Sequence, residues 1–183
     1  MTAEAQPAEG TLEAKLADGA LAGTWKLDPE RSTVALRSKS MWGLVPVKGT
    51  FGQVSGSAEI TASGEASGTI TVEAGSVDTK MAARDKHLRS ADFFDSENHP
   101  QIVFTASEVT LNDGSATITG SLQVRDQTRP LSVPVKVSAP DADTLQLDVQ
   151  LEIDRSDFGL TWKGPFSASV HNTMTIRAVF SRE

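Results

Sequence analysis

The chain has 183 residues, a formal net charge of -7, 38 % hydrophobic residues and no cysteine. That length suits one domain with a sizeable core. The acidic balance argues against nucleic acid, whose phosphates demand a concentrated basic surface, and the missing cysteines exclude disulfides, thiolate nucleophiles and thiolate-bound zinc.

The chain opens with Met1-Thr2-Ala3-Glu4 and stays acidic through Glu9 and Glu13. A secretory signal wants a basic start and an unbroken apolar run, and a membrane span wants roughly 20 apolar residues. Neither pattern is present, so the expected location is cytoplasmic, or secreted if a signal has been removed. Residues 1–22 read as a flexible tail, with a marginal helix around Leu12, Leu16 and Leu21 as the alternative. The folded domain is expected over residues 23–183, beginning at Gly23-Thr24-Trp25.

From there a period of two dominates, the mark of strands with one apolar and one wet face. Val34 and Leu36 open the first. Val47, Gly49 and Phe51 lead into Val54, Gly56, Ala58 and Ile60, with the inward parity flipping near Gly52 as at a bulge or glycine kink. Ile70, Val72 and Ala74 follow. A short helical segment then places Met81, Arg84, Asp85 and Leu88 on one face, with Asp78 or Thr79 as its cap. Ile102 and Phe104 give way to Val109 and Leu111 through a second parity switch. Ile118 to Val124, Leu131 to Val137, Leu145 to Ile153 and Met174 to Phe180 complete the alternation. Turns fit Ala62-Ser63-Gly64, Asn112-Asp113-Gly114 and Pro140 to Asp143. Pro134 inside a strand marks an edge, a bulge or a barrel seam. The count is about eight strands, enough to close an antiparallel barrel. A two-sheet sandwich has the same periodicity.

Several blocks, in order, resemble the YceI-like family. They are Gly23-Thr24-Trp25-Lys26-Leu27-Asp28-Pro29; Val47-Lys48-Gly49-Thr50-Phe51; Asp85-Lys86-His87-Leu88; Ser90-Ala91-Asp92-Phe93-Phe94-Asp95; His99-Pro100-Gln101-Ile102; Thr128-Arg129-Pro130; and Asp154-Arg155-Ser156-Asp157-Phe158-Gly159. The resemblance covers roughly Thr24 to Ser181. It implies an all-β fold: an extended eight-stranded antiparallel β-barrel, lipocalin-like, with one short helical insertion. It also implies a long-chain isoprenoid lipid held in the lumen, with recurrent homodimers and no catalytic motif to transfer.

The expected function is non-catalytic binding or carriage of such a lipid, of quinone or polyprenyl phosphate type, as the ligand and with no other cofactor. Inward positions mix large residues with small ones, which leaves room for a guest; a dry, close-packed core is the competing reading. The expected ligand-binding set is Leu36, Trp42, Phe51, Ala74, Phe104, Gly120, Leu147, Leu151, Arg155 and Met174. Bulky replacements at Gly120 or Ala74 are expected to weaken binding while the fold survives. The apolar Trp42 to Pro46 stretch reads as a rim flap, or as a loop covering the barrel bottom or a dimer interface. A transient membrane contact is a further expectation for a carrier of such a lipid. Arg155 either fixes a turn or receives a polar head through its forked donors, with Arg125 or Lys39 beside it. Phe93 and Phe94 are expected to plug one barrel end. His87, His99 and His171 match no zinc spacing. A lipid-processing enzyme would have to use Asp85, His87 and Asp92, and a filled structural barrel would use the Trp42 loop to dimerise.

Overall fold

Strands dominate because each needs one apolar face, and only a closed or doubled sheet can cover all those faces together. The computed structural model describes residues 10–40, 43–112, 115–164 and 169–183. It contains helices α1 (Leu12–Ala17) and α2 (Ala82–Arg89), and 3-10 turns Ala74–Ser76 and Arg155–Phe158. The strands are β1 (Gly23–Leu27), β2 (Thr33–Ser40), β3 (Val45–Phe51), β4 (Val54–Ile60), β5 (Ala66–Glu73), β6 (Val77–Asp78), β7 (Gln101–Asn112), β8 (Ser115–Val124), β9 (Gln127–Asp141), β10 (Thr144–Asp154) and β11 (His171–Arg182).

These segments make eight staves. Both β1 and β2 pair antiparallel with β11, at Leu27↔Phe180 and Thr33↔Arg177, so they are one stave interrupted at residues 28–32. Ser32 Oγ accepts from the Val179 amide at 3.0 Å and keeps the interrupted edge attached. β4 pairs with β1 and β3 with β2, broken at Gly52-Gln53 where the parity flip was expected. β5 and β6 form the third stave, broken by the 3-10 turn Ala74–Ser76. β7 to β11 follow as neighbours in chain order, and the return of β11 to β1 and β2 closes the ring. The chain is an antiparallel eight-stranded barrel, not a sandwich.

The second parity switch is a bulge, since the β7–β8 register shifts between Ala106 and Glu108. Pro134 marks a seam. Proline has no N–H to give a ladder, and the β9–β10 pairing stops one residue before it, at Val135↔Val149. Of the three expected turns, residues 61–65 and 141–144 turn as read, while Asp113 and Gly114 lie outside the described residues.

The two barrel ends are closed differently. At one, α1 and Leu21 lie against the barrel: Leu21 is buried, and Leu12 and Leu16 pack on the cluster of Trp25, Leu27, Ile60, Leu145 and Phe180. Trp25 Nε1 donates to Leu21 O at 3.0 Å. Arg182 lies 4.5 Å over the Trp25 ring and donates to Ala20 O and Ala22 O at 2.7 and 2.6 Å. Residues 10–22, expected as a tail, are therefore docked structure. Thr11 caps α1 through Oγ1, but a helix of this length is held by its docked leucines more than by propensity.

At the other end α2 is held by polar side chains. Its N-cap is Met81, which makes no side-chain cap bond; neither Asp78 nor Thr79 takes that place. Instead Asp85 reaches back to accept from Thr79 N and Oγ1 at 2.9 and 2.5 Å. Arg89 donates to Gly75 O and Val77 O at 2.7 and 2.9 Å.

Gly120 has the inward parity of Ile118 and Leu122, yet the β7 backbone bulging at residue 107 crosses close beside it. A Cβ at Gly120 would sit 2.0 Å from Thr105 O. Gly120→Ala should therefore destabilise the fold by at least about 2 kcal/mol, read as an earlier midpoint in urea denaturation.

Candidate functional site

Inward residues in the middle of a barrel ordinarily bury one another. Here Leu36, Ile102, Phe104, Leu131, Leu147, Leu151, Ile153, Met174 and Ile176 point inward yet remain only half-buried. The space they face is a cavity of about 240 Å³. A second space of about 120 Å³ lies under α1, lined by Leu12, Leu16, Leu21, Leu145 and Phe180. Ile70, Phe104, Ile118 and Leu147 line both and form the wall between them.

Most of the expected ligand-binding residues converge on the larger cavity: Leu36, Phe51, Phe104, Leu147, Leu151, Arg155 and Met174 all line it. Ala74 does not. The strand breaks into a 3-10 turn at that residue, which ends the period-two parity and packs Ala74 out of the lumen, with its amide donating to Pro100 O at 2.8 Å. Gly120 does not either, because the bulged β7 backbone covers it. Bulky replacements at these two positions would thus break packing before they reached a guest. Trp42 lies outside the described residues.

The cavity is polar at one end. Among its described lining residues, polar side chains come from Ser38, Thr79, Arg84, Arg155 and Asn172, all towards the α2 end. Ser38 is 4 % exposed, and its Oγ has no hydrogen-bond partner. A buried hydroxyl left in that state costs about 1–3 kcal/mol. Arg84 donates through Nε to Thr79 Oγ1 at 2.7 Å and through Nη2 to Thr79 O at 2.8 Å. Ser38 and Asn172 occupy the inward register of their strands, in line with Leu36 and with Met174. A polar residue on an inward register is the sequence signal for both, and neither belongs to the expected set.

Arg155 continues the inward face of β10 and serves the fold. It donates to the carbonyls of Leu160, Trp162 (3.0 Å) and Ser169 (3.3 Å), and lies 5.3 Å from the centroid of the Phe93 ring. Burial pushes its pKa below the ordinary arginine value. The carbonyls it gathers belong to the segment after the 3-10 turn, where Phe158 and Leu160 pack with Leu122, Val124 and Leu131. Phe93 and Phe94 close this end of the cavity as expected, Phe94 meeting Phe51 edge-on at 5.7 Å.

Of the residues named for catalysis, His87 and Asp92 come together and Asp85 stands apart. Asp85 is turned to Thr79, whereas His87 Nε2 lies 2.8 Å from Asp92 Oδ2 and packs on Trp162 and Phe93. Neither His87 nor Asp92 lines the cavity.

The fold and site define a closed antiparallel barrel with an apolar lumen. A model of the YceI-like domain matches residues 25–181, and the chain belongs to that family. A UPF0312 protein of Pectobacterium atrosepticum is 31 % identical over 173 residues, covering 89 % of this chain and 90 % of that one. Protein YceI of Escherichia coli O157:H7 is 30 % identical over the same length and shares. Among solved structures, Burkholderia cenocepacia BcnA superposes with a TM-score of 0.75 at 24 % identity, covering 84 % of this chain and 98 % of that one. A polyisoprenoid binding domain from Saccharophagus degradans, implicated in plant cell wall breakdown, gives 0.72 at 16 % identity, covering 87 % and 98 %. Helix α1 lies outside the matched residues.

Asp154 caps the second 3-10 turn, accepting from Ser156 N at 2.8 Å and Ser156 Oγ at 2.5 Å. The Ser156 hydroxyl and then its amide hold the Asp154 carboxyl below its ordinary value of 3.8. The stability this brings is present above that value and is lost as pH falls through the lowered pKa. Asp154→Ala should lower the melting temperature at about pH 6, and the difference from the parent should shrink at about pH 2.

Proposed function

We propose that the chain binds and carries a long-chain isoprenoid lipid, of quinone or polyprenyl phosphate type, without transforming it. The observation that supports this reading is the ring of inward apolar side chains left half-buried around an unfilled lumen. Such surface gains most by meeting hydrocarbon. At ~25 cal/mol per Å², burying about 400 Å² contributes roughly 10 kcal/mol before the costs of association. The structural neighbour from Saccharophagus degradans is itself a polyisoprenoid binding domain.

Carriage requires a place to exchange the lipid. Leu44, Val45 and Met81 are exposed large hydrophobics, at 78 %, 40 % and 54 %, and all belong to the α2 end. This supports a transient membrane contact there.

Purified protein extracted with organic solvent should release a stoichiometric long-chain lipid detectable by mass spectrometry. Leu151→Trp, which fills the lumen from β10, should cut the lipid recovered by about tenfold while the circular dichroism spectrum is retained. Recovery equal to the parent would overturn the lumen as the binding site. Leu44→Asp should slow uptake from vesicles several-fold, by roughly 1 kcal/mol in the barrier, and leave equilibrium affinity unchanged.

A further inference from the structure

The lumen has an apolar end and an end that offers hydrogen bonds, which gives any guest a direction. Towards α1 its continuation is closed by Leu12, Leu16 and Leu21. Towards α2 it ends at Ser38, Thr79, Arg84 and Asn172.

Ser38 stands out among these. It is 4 % exposed, lines the cavity and has an Oγ without a partner. It pairs with Val47 of β3 on one side. On the other, Asn172 follows the last β2–β11 pair, Arg37↔Thr173. Gly49, two residues beyond Val47, is approached so closely by Thr79 that a Cβ there would meet Thr79 Cγ2 at 2.9 Å. These residues therefore crowd one corner of the lumen. The Asn172 amide donates to Val170 O at 3.0 Å, whereas the Ser38 hydroxyl is a buried polar group here without a partner.

The charged side chains of the described lining, Arg84 and Arg155, are already engaged with the protein. The described lining contains no lysine. Arg155 is turned to the carbonyls of Leu160, Trp162 and Ser169. Arg84 spends Nε and Nη2 on Thr79 and neighbours the Asp85 carboxylate. A diphosphate brought here would give up its water and would have to draw Arg84 and Arg155 away from the oxygens they already hold, a large cost in a low-dielectric site.

We infer that the guest's head is an uncharged hydrogen-bond acceptor, a ketone, quinone, ester or amide oxygen, that accepts a hydrogen bond from the Ser38 hydroxyl while the hydrocarbon tail points to α1. This assignment rests on the lumen being a lipid site; of the two lipid types proposed above it takes the quinone type over the polyprenyl phosphate, and it adds the orientation. The ligand completes a hydroxyl that the fold leaves unpaired, which makes Ser38 a specificity residue. A guest without an oxygen at its head would leave that group unsatisfied.

Three probes with related branched tails separate these statements: geranylgeranylacetone with a ketone head, geranylgeranyl pyrophosphate with a charged head, and phytane with none. Each is titrated against the full chain and against Ser38→Ala by displacement of a fluorescent apolar dye. The parent should prefer the ketone to both others. Ser38→Ala should weaken the ketone by about tenfold and change phytane by less than about twofold. Because the substitution removes an unsatisfied buried hydroxyl, its melting temperature should equal or exceed the parent's, so a loss of binding will not be a loss of folding. If Ser38→Ala leaves the ketone as tight as before, the head is not at Ser38. If the parent prefers the pyrophosphate, the head is not uncharged. Either result overturns this inference and leaves lipid binding standing. Failure of all three probes to bind the parent overturns the lipid site as well.

Discussion

The lumen exists because β11 is paired along both of its edges. One edge carries eleven consecutive residues of β10, and the other is shared between β1 and β2. A sheet left open there would present two unpaired edges and could lie flat or associate with another sheet. Closing it removes the edges and forces every inward side chain to face an enclosed volume. The broken first, second and third staves follow from the same demand, because a wall that curves this tightly must bend. It does so at residues 28–32, at Gly52-Gln53 and at the 3-10 turn Ala74–Ser76.

Enclosure alone does not leave a cavity, since eight strands can be filled by their own side chains. The difference here lies in how the ends are closed. The α1 end is packed with Trp25, Leu27, Leu145 and Phe180, and the α2 end with Phe93, Phe158 and Leu160. Between these plugs the side chains reach inward without meeting. The fully buried clusters lie towards the two ends, and the lumen-facing side chains between them stay half-buried around the cavity. The polar contacts that hold the α2 end (Asp85 to Thr79, Arg89 to Val77, Arg155 to three carbonyls) fix a lid that has little apolar surface of its own to hold it down.

Much of this was legible in the sequence, for a definite reason. A strand with one wet face writes its orientation into alternate residues, so Leu145 to Ile153 and Met174 to Phe180 declared both their form and their inward side. Parity breaks at Gly52 and between Phe104 and Val109 located a stave junction and a bulge without any coordinates. What failed depended on approach between segments distant in sequence. Gly120 has the right parity, but the β7 backbone pressing on it comes from fifteen residues earlier and leaves no local trace. Ala74 looked like the next inward residue until the strand ended beneath it. Helix α1 is too short to announce itself by propensity and is held by docking. Ser38 and Asn172 stand on the inward registers of Leu36 and Met174, but the period of two does not separate a hydroxyl or amide that faces a cavity from one that is satisfied in a packed core.

The pairing of β11 with β1 also orders the assembly of the molecule in time. Ala20 and Arg182 are hydrogen-bonded across 162 positions of chain, and Ser32 and Val179 across 147. Contacts of such long range are slow to form, because their loop must be closed before they return any stability. During synthesis nearly the whole polypeptide has to leave the ribosome before its final stave can meet the first. Until then the faces that will line the lumen are open to water and to one another. Newly made chains are therefore at their most vulnerable to aggregation until β11 has been made and has closed the wall.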